Sequence, residues 1–379
     1  MGARDPRIVN RKRPSTRLRV GAWLLLAPLA CLAGPHELKL GIVAPPGEWD
    51  STSLILGARL AVAESNEAAP GTVTLEVRGE AGQWGSAGND AVFLARDRMV
   101  DAIIAPSDGG DSHLVLQVSG KTQVPVASVS PDSSVTDAGV PWAIRVVPRT
   151  DQEAEALFVA ARRPDRSAPH WWAVVPTGRA GRAVRRDLER AARSTSTRLD
   201  QFVEGGEPKT DVASLAHGIA AAAPDGVLLW LAPSQAGTVA SALRSAGYGG
   251  RLAGPSTLDS PDFVAAAGSA ATGVLATGFR ADAVSRDRAD EFEAQYRRRH
   301  GAKPDSSAAM AYDAARVLIE TLRRADSRGG YSQFPLVLPI AGATGMLHFD
   351  KSGNRTDALQ VLTCEEGRFV PLPSSEPQP

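Results

Sequence analysis

Cysteine and histidine are scarce in this chain of 379 residues. Its two cysteines are Cys31, inside a short apolar stretch, and Cys364, near the carboxyl end. We therefore expect neither an internal disulfide nor a cysteine-ligated metal site in the mature chain. The six histidines stand singly, without the spacing of metal ligands. No metal and no other cofactor is expected.

The chain also lacks an apolar run long enough to span a membrane. Its strongest one, VGAWLLLAPLACLAG, holds about 14 apolar residues, where about 20 are needed. Seven basic residues precede it, which is typical of an export signal, although a buried first helix would also be short and apolar. We assign residues 1–34 to an export signal, with maturation near residue 34. Lipidation of Cys31, with the mature chain beginning there, is the alternative.

Neither sign of charge dominates, since Lys and Arg together number 42 and Asp and Glu together number 42. Residues 1–34 hold seven of the basic residues and one aspartate, so a mature chain would have 35 basic and 41 acidic residues. Nucleic acid is therefore not an expected partner. A hydrophobic content of 43% indicates a globular protein with sizeable cores.

The motifs of common catalytic classes are missing as well. The segment SGKT at 119–122 lacks the upstream glycine of a phosphate-binding loop, because Val115 stands in its place. GDSH at 110–113 resembles a hydrolase block, but no histidine follows an aspartate by three residues, and no Gly-x-Ser-x-Gly elbow occurs. Two prolines in IVAPPGEW occupy the position of a dinucleotide-binding loop. We therefore expect a binding protein and not an enzyme.

What the chain does contain is a repeated alternation of short apolar strands with amphipathic helices, which predicts βαβ units and parallel sheets. The predicted strands are 38–43, 72–79, 101–105, 124–129, 142–148, 170–175, 197–203, 226–231, 251–254 and 273–279. Because 379 residues exceed one compact core, we expect two doubly wound lobes of the α/β class. Two such lobes facing each other make a cleft lined by strand-end loops.

In order and spacing, seven segments resemble the type I periplasmic solute-binding proteins of the leucine/isoleucine/valine-binding kind. These segments are LKLGIVAP, GARLAVAESN, AIIAPSDGG, VPVASVSPDSS, ALRSAGYGGRLAGPST, AAMAYDAARVLIETL and GATGMLHFDKSGNR. The resemblance covers nearly all of residues 38–370. It implies closure around a small solute outside the cytoplasm, by a monomeric protein that delivers the solute to the membrane permease of an ABC transporter.

The resemblance also implies that three hinge crossings join the two lobes, near 145–148, 277–280 and 342–349. The predicted parts of the chain are the export signal at 1–34, lobe 1 at 38–147 and 280–341, lobe 2 at 148–279 and 342–370, and a flexible tail at 371–379.

The candidate ligand-binding residues follow from the strand-end loops and from the resemblance. They are Trp49, Ser107, Asp108, Gly109, Ser112, Ser133, Ser134, Ala180, Ala232, Ser256 and Asp259. In the family, hydroxyls and backbone amides of the first lobe hold an α-carboxylate, and the 107–112 loop, Ser133 and Ser134 match those positions. A carboxylate accepts such hydrogen bonds readily, particularly at helix amino ends.

The second lobe departs from the family where the ligand's ammonium is held. Ala180 stands at the aromatic position of an Asp-x-x-Tyr-Gly turn, and Ser256 stands at the acidic position after Gly-Pro. Because burial of an unpaired ammonium is costly, we expect a preference for solutes without a free α-ammonium. Asp259 or Asp108 is the alternative acid, although each also fits a helix cap.

Three more side chains have two interpretations each. Trp49 either packs on the ligand or shields the rim of the hinge. Arg179 and Arg182 either meet an acidic ligand or begin a solvated helix. Three functions also stay open, namely a transport receptor, a sensory module that signals to a partner protein, and a vestigial fold used as a scaffold.

Export is open to a direct test. We expect intact-mass analysis of the protein from its native cell envelope to show a chain that begins near residue 34, or at Cys31 with added lipid mass, because the basic stretch and short apolar run direct processing there. A full-length cytosolic chain as the only form would contradict the assignment.

Overall fold

The computed structural model describes residues 37–68, 72–79, 85–162, 169–206, 210–279, 283–324 and 339–373. The predicted export signal with Cys31, residue 280 of the expected second crossing, and the predicted tail from residue 374 onward lie outside the described residues. Within the described part of the chain, no helix is both long and apolar enough to cross a membrane.

Five parallel strands form the sheet of the first lobe. They run in the same direction because the segment after each strand carries the chain back to the end of the sheet where that strand began. In chain order the elements are β1 (Leu38–Val43), α1 (Ser51–Ala68), β2 (Val73–Arg78), α2 (Ser86–Arg96), β3 (Ala102–Ala105), α3 (Gly109–Thr122), β4 (Val126–Ser128), α4 (Ser134–Asp137) and β5 (Ala143–Arg145). The strand order is β2-β1-β3-β4-β5. Every residue of β3 and β4 is buried, as expected for strands covered on both faces.

The second lobe repeats this arrangement with five further parallel strands. Its elements are α5 (Thr150–Ala160), β6 (His170–Val175), α6 (Gly178–Ser194), β7 (Arg198–Glu204), α7 (Val212–Ala222), β8 (Gly226–Leu229), α8 (Pro233–Ser245), β9 (Arg251–Gly254), α9 (Pro261–Ala267) and β10 (Leu275–Phe279). The two doubly wound lobes predicted from the strand and helix alternation are therefore confirmed.

The chain then returns to the first lobe. The returning elements are α10 (Ala283–His300), α11 (Ser306–Arg324), β11 (Ile340–Gly342) and β12 (Gly345–Leu347). α11 packs along α1, and the β11–β12 hairpin buries Ile340 and Leu347 in the first lobe's core. The expected start of lobe 2 at residue 342 is therefore misplaced, because the apolar residues of this hairpin complete the first core.

Only after this hairpin does the chain rejoin the second sheet, as β13 (Leu359–Glu365) and β14 (Arg368–Pro371). Both strands are antiparallel to their neighbours, and the full order of the sheet is β14-β13-β10-β9-β8-β6-β7. Pro371, which the sequence analysis assigned to the tail, is the last residue of β14.

A buried arginine joins the crossings between the lobes. Arg355 is 2% exposed, and its Nη1 donates to Val146 O at 3.0 Å and to Thr344 Oγ1 at 2.6 Å. Its guanidinium carbon lies 3.3 Å from the centroid of the Phe279 ring, at the end of β10. Asp313 supplies a buried countercharge, and its carboxylate also accepts from the backbone nitrogen of Thr344 at 2.9 Å. One side chain thus connects the ends of β5 and β10 with the returning hairpin.

The packing of α1 on α11 depends on a glycine. A Cβ at Gly57 would lie 2.0 Å from the carbonyl oxygen of Ala308. We expect Gly57→Ala to destabilise the protein by about 1–3 kcal/mol, because the two helices must move apart. Gly120→Ala is the matched control, since this exposed position in α3 has no atom within 4 Å of the new methyl group. The control should gain up to about 1 kcal/mol from helix propensity. Equal urea midpoints for the two variants would contradict the close approach.

Candidate functional site

A cavity of about 450 Å³ lies where the strand ends of the two lobes meet. One wall comes from the segments that follow β1, β3 and β4, and the other from those that follow β6, β7, β8 and β9. All of these segments lie at the carboxyl ends of parallel strands, where α/β proteins bind their ligands. The cavity therefore has the position of a ligand site shared by both lobes.

Most of the predicted ligand residues line this cavity. Those in the lining are Trp49, Ser107, Asp108, Gly109, Ala180, Ala232 and Ser256. Those outside it are Ser112, Ser133, Ser134 and Asp259. Trp49 is 42% exposed, so it lies at the edge of the cavity, where both of its interpretations had placed it.

Ser112 and Asp108 show how the loop before α3 is built. Ser112 is fully buried, where its Oγ donates to Pro106 O at 2.8 Å and lies 3.0 Å from Ser128 Oγ. The hydroxyl of Ser112 therefore holds the loop against β4, and its predicted contact with a ligand stays a prediction. Asp108 Oδ1 accepts from the backbone nitrogen of Asp111 at 2.9 Å, so Asp108 caps α3 while also lining the cavity.

Ser133 belongs to an interlobe clasp, formed by Asp132 and Ser133 of the first lobe with Arg186 and Asp187 of α6. Ser133 donates from its backbone nitrogen and its Oγ to the carboxylate of Asp187, at 3.1 and 2.7 Å. Arg186 donates to Asp132 Oδ1 at 2.7 Å and to Asp187 Oδ1 at 3.0 Å. Ser134 Oγ donates to Asp132 Oδ1 at 2.7 Å. The structure thus gives both serine hydroxyls protein partners and places neither on the cavity wall. Their contact with a ligand carboxylate stays a prediction.

Glu153 is a buried cavity residue that the sequence analysis missed. It lies in the first turn of α5, is 2% exposed and lines the cavity. Its Oε1 accepts from the backbone nitrogen of Ser256 and from Thr277 Oγ1, both at 2.8 Å. Burial raises the pKa of this carboxyl. The helical period did indicate that Glu153 points inward. It precedes the buried Leu157 by four residues, so the two side chains lie on the same face of α5.

The expectation that the second lobe offers neither a carboxylate nor an aromatic face is therefore wrong. Glu153 places a carboxylate beside Ser256, where the resemblance had located the missing acid. Trp230, which follows β8, also lines the cavity from the second lobe. Both residues come from segments other than those of the family pattern, so motif positions alone did not reveal them.

Acidic side chains outnumber basic ones in the described lining of the cavity. The acidic residues are Glu48, Asp50, Asp108, Asp132, Glu153 and Asp187, and the basic one is Arg179. Asp50 is 2% exposed, and burial raises its pKa to about 6 even though Ser107 donates a hydrogen bond to it. Burial and the charges of Asp108 and Asp111 raise the pKa of Glu48. Since burial is the largest cause of both shifts, the raised pKa values show that these two carboxyls are desolvated.

Arg179 brings the amino end of α6 against that of α3. A Cβ built on Gly110 would lie 1.7 Å from Arg179 Nη1, so the guanidinium from the second lobe covers this glycine of the first.

Arg182 is exposed and lies outside the lining, as expected for a solvated helix start. The side chain of Asp259 is 40% exposed and lies 4.0 Å from Lys303 Nζ. Asp259 lies outside the lining of the cavity.

Metal binding is not supported in the described part of the chain. No group of three or more His, Cys, Asp or Glu side chains among those residues has an arrangement that would hold a metal ion. Cys364 is buried in the core of the second lobe.

Comparison with known proteins identifies relatives. The sequence model of a family described as periplasmic binding protein matches residues 42–333. No curated protein sequence matches the chain.

Among solved structures, the leucine-binding protein LivK of Thermotoga maritima has a TM-score of 0.75 and 18% identity, covering 89% of this chain and 98% of that one. LivJ of Streptococcus pneumoniae, solved in complex with isoleucine, has a TM-score of 0.76 and 16% identity over 88% and 97% of the two chains. An ABC transporter solute-binding protein of R. palustris, solved with benzoate, has a TM-score of 0.77 and 16% identity over 89% and 95%. These likenesses show a shared fold.

The buried Asp50 makes stability depend on pH. Its pKa is about 6 in the folded protein against an ordinary value of 3.8, so the folded state keeps the proton longer than the unfolded state does. Asp50 therefore costs stability as the pH rises from about 4, and the cost of about 3 kcal/mol is complete above about pH 6. We expect Asp50→Asn to be more stable than the parent at pH 7 by up to this amount, with the gain disappearing towards pH 4.

Urea titrations at several pH values measure this gain. Asp137→Asn is the control, because Asp137 is exposed and its replacement should change stability little at any pH. A gain for Asp50→Asn that is equal at pH 4 and pH 7 would contradict the linkage to ionisation.

Proposed function

Because this chain belongs to the periplasmic binding protein family, we propose that it binds a small polar solute outside the cytoplasm and delivers it to the permease of an ABC transporter. The observation that supports this proposal most is the cavity, whose walls come from strand-end loops of both lobes. A site divided in this way is complete only when the lobes are together, so closure and binding are coupled.

The size and lining of the cavity suit a small solute. A volume of about 450 Å³ lies within the range of small-molecule sites. Trp49 and Trp230 provide apolar surface, while Ser107, Asp108 and Glu153 provide polar groups for orientation. The related structures solved with isoleucine and with benzoate support an amino acid, amide or carboxylate-like solute as the starting range.

The interlobe clasp supports closure as the working motion. Ser133 and Asp187 belong to different lobes, and they are in hydrogen-bond contact at 2.7 Å. The ion pair between Arg186 and Asp132 also crosses the cleft, at 2.7 Å. Such contacts form only when the lobes meet, so they stabilise the closed state that a permease would recognise.

Ligand binding itself is the first experiment. We expect mass spectrometry of the protein purified from its native cells to reveal a bound small molecule, and that molecule to raise Tm when it is added back to stripped protein. Binding to the folded state alone adds RT ln(1 + [L]/Kd), about 2.7 kcal/mol at a concentration 100 times Kd.

Two variants of α6 locate the binding. Ala180→Trp should abolish the rise in Tm, because Ala180 lines the cavity and the larger side chain would fill it. Arg182→Trp, two residues further and outside the lining, should retain the rise. If no molecule is bound and no amino acid, amide or carboxylate raises Tm, the chain is a scaffold and the proposal is wrong. Binding without stimulation of a reconstituted permease would instead support the sensory role.

A further inference from the structure

We infer that the interlobe clasp is sensitive to pH, because His113 of α3 is hydrogen-bonded to it through Ser134 and takes up a proton more readily when the lobes separate. This inference goes beyond the proposed function, since it concerns the contact between the lobes and not the solute.

A continuous chain of hydrogen bonds joins α3 to α6. His113 Nε2 lies 2.9 Å from Ser134 Oγ, which donates to Asp132 Oδ1 at 2.7 Å. Arg186 Nη2 donates to the same carboxylate oxygen at 2.7 Å. The hydroxyl of Ser134 has one hydrogen and gives it to Asp132, so His113 Nε2 is the donor in the first bond. Neutral and protonated His113 can both make this bond, and only the charge distinguishes them.

The charged groups that face His113 from other elements are mostly positive. They are Arg179 and Arg186 of α6, Arg145 of β5, and Asp132 in the segment before α4. Arg179 lies against Gly110, one turn before His113 on α3. Arg186 forms an ion pair with Asp132 and so offsets the one negative charge of the group. A proton on His113 therefore meets net positive charge while the lobes are together.

Arg145 adds to this surplus, because its own charge is not compensated by a hydrogen-bonded acid. The residue is fully buried, and its Nε and Nη1 have no hydrogen-bond partner among the described residues. Its Nη2 donates to two uncharged acceptors, Ser133 O at 3.0 Å and Thr136 Oγ1 at 2.8 Å. A buried guanidinium of this kind is already costly, so a second uncompensated cation beside it is disfavoured.

Separation of the lobes removes much of this repulsion. Arg179 and Arg186 belong to the second lobe and leave α3 with it, while Asp132 loses its partner and faces His113 alone. Burial lowers the pKa of His113 below its ordinary value of 6.5 in the present structure, and the arginines add to this effect while Asp132 opposes it. The open state therefore binds the proton at higher pH than the closed state. As the pH falls below about 6.5, opening is favoured, and above it His113 is neutral and closure is unopposed.

His113→Gln tests the role of this charge. Glutamine keeps an N–H donor for Ser134 Oγ but does not take up a proton. Small-angle X-ray scattering gives the ratio of open to closed molecules at about pH 7.5 and about pH 5.5, on either side of the ordinary histidine value. We expect the parent's ratio divided by that of the variant to rise about 3- to 10-fold at the lower pH. Asp50, whose pKa is about 6, is present in both proteins and cancels in this quotient. His217→Gln, an exposed site on α7, is the control and should behave as the parent does.

The titration of His113 itself, followed by nuclear magnetic resonance of its imidazole, is a second test that does not depend on how many molecules are open. We expect its midpoint to lie below 6.5 in the parent and to rise in Arg186→Gln, because this change weakens the clasp and leaves Asp132 unshared. Arg185→Gln is the matched control on the same helix. Arg185 lies on the ring of Phe202, outside the clasp, so its loss should leave the midpoint of His113 unchanged.

The inference is overturned if the quotient stays constant between the two pH values, if His113 titrates at or above 6.5 in the parent, or if Arg186→Gln leaves its midpoint where it was. If His113→Gln does not fold, the titration of the parent and of Arg186→Gln decides alone. All of these results leave the proposed function standing, because no solute takes part in either measurement. Failure to bind any solute would remove the proposed function without changing these outcomes.

Discussion

The contact of Arg355 with the crossings is the constraint on which the cavity depends. Its planar guanidinium donates to Val146 O after β5 and lies on the ring of Phe279 at the end of β10. α5 begins a few residues after Val146, and Thr277 precedes Phe279 by two residues. The hydrogen bond from Thr277 to Glu153 is therefore formed between two segments that Arg355 holds together. The position of this cavity-lining carboxylate is thus fixed from the hinge, since a buried guanidinium with directional donors tolerates little displacement.

Hydrogen-bond satisfaction separates the polar groups that support the cavity from those that are free to bind a solute. Ser112 and Ser133 have the chemistry of ligand residues, but their hydroxyls bond to Pro106 O and to Asp187. Glu153 acts in the same supporting way, because its Oε1 accepts from Ser256 and Thr277. Because buried donors and acceptors are nearly always paired, a hydroxyl that already bonds within the protein supports the walls of the cavity.

The sequence was sufficient for the fold and for part of the site. Apolar alternation predicted the strands and the two lobes, since a parallel sheet covered by helices leaves few other arrangements. The loop of Ser107 and Gly109 was predicted to line the cleft because strand ends of such sheets converge there, and both residues line the cavity. Contacts between distant segments were not predictable, such as that of Ser133 with Asp187, 54 residues away. The resemblance also did not show which lobe buries Leu347 of the returning hairpin, because that depends on the packed core.

The clasp links the cavity to closure of the lobes. Asp132 and Asp187 line the cavity, and Arg186 bridges them across the cleft. A solute shifts the equilibrium between open and closed lobes only by its differential affinity for the closed state. Because the same two acids belong to the clasp and to the wall of the cavity, closure and completion of the site depend on the same contacts.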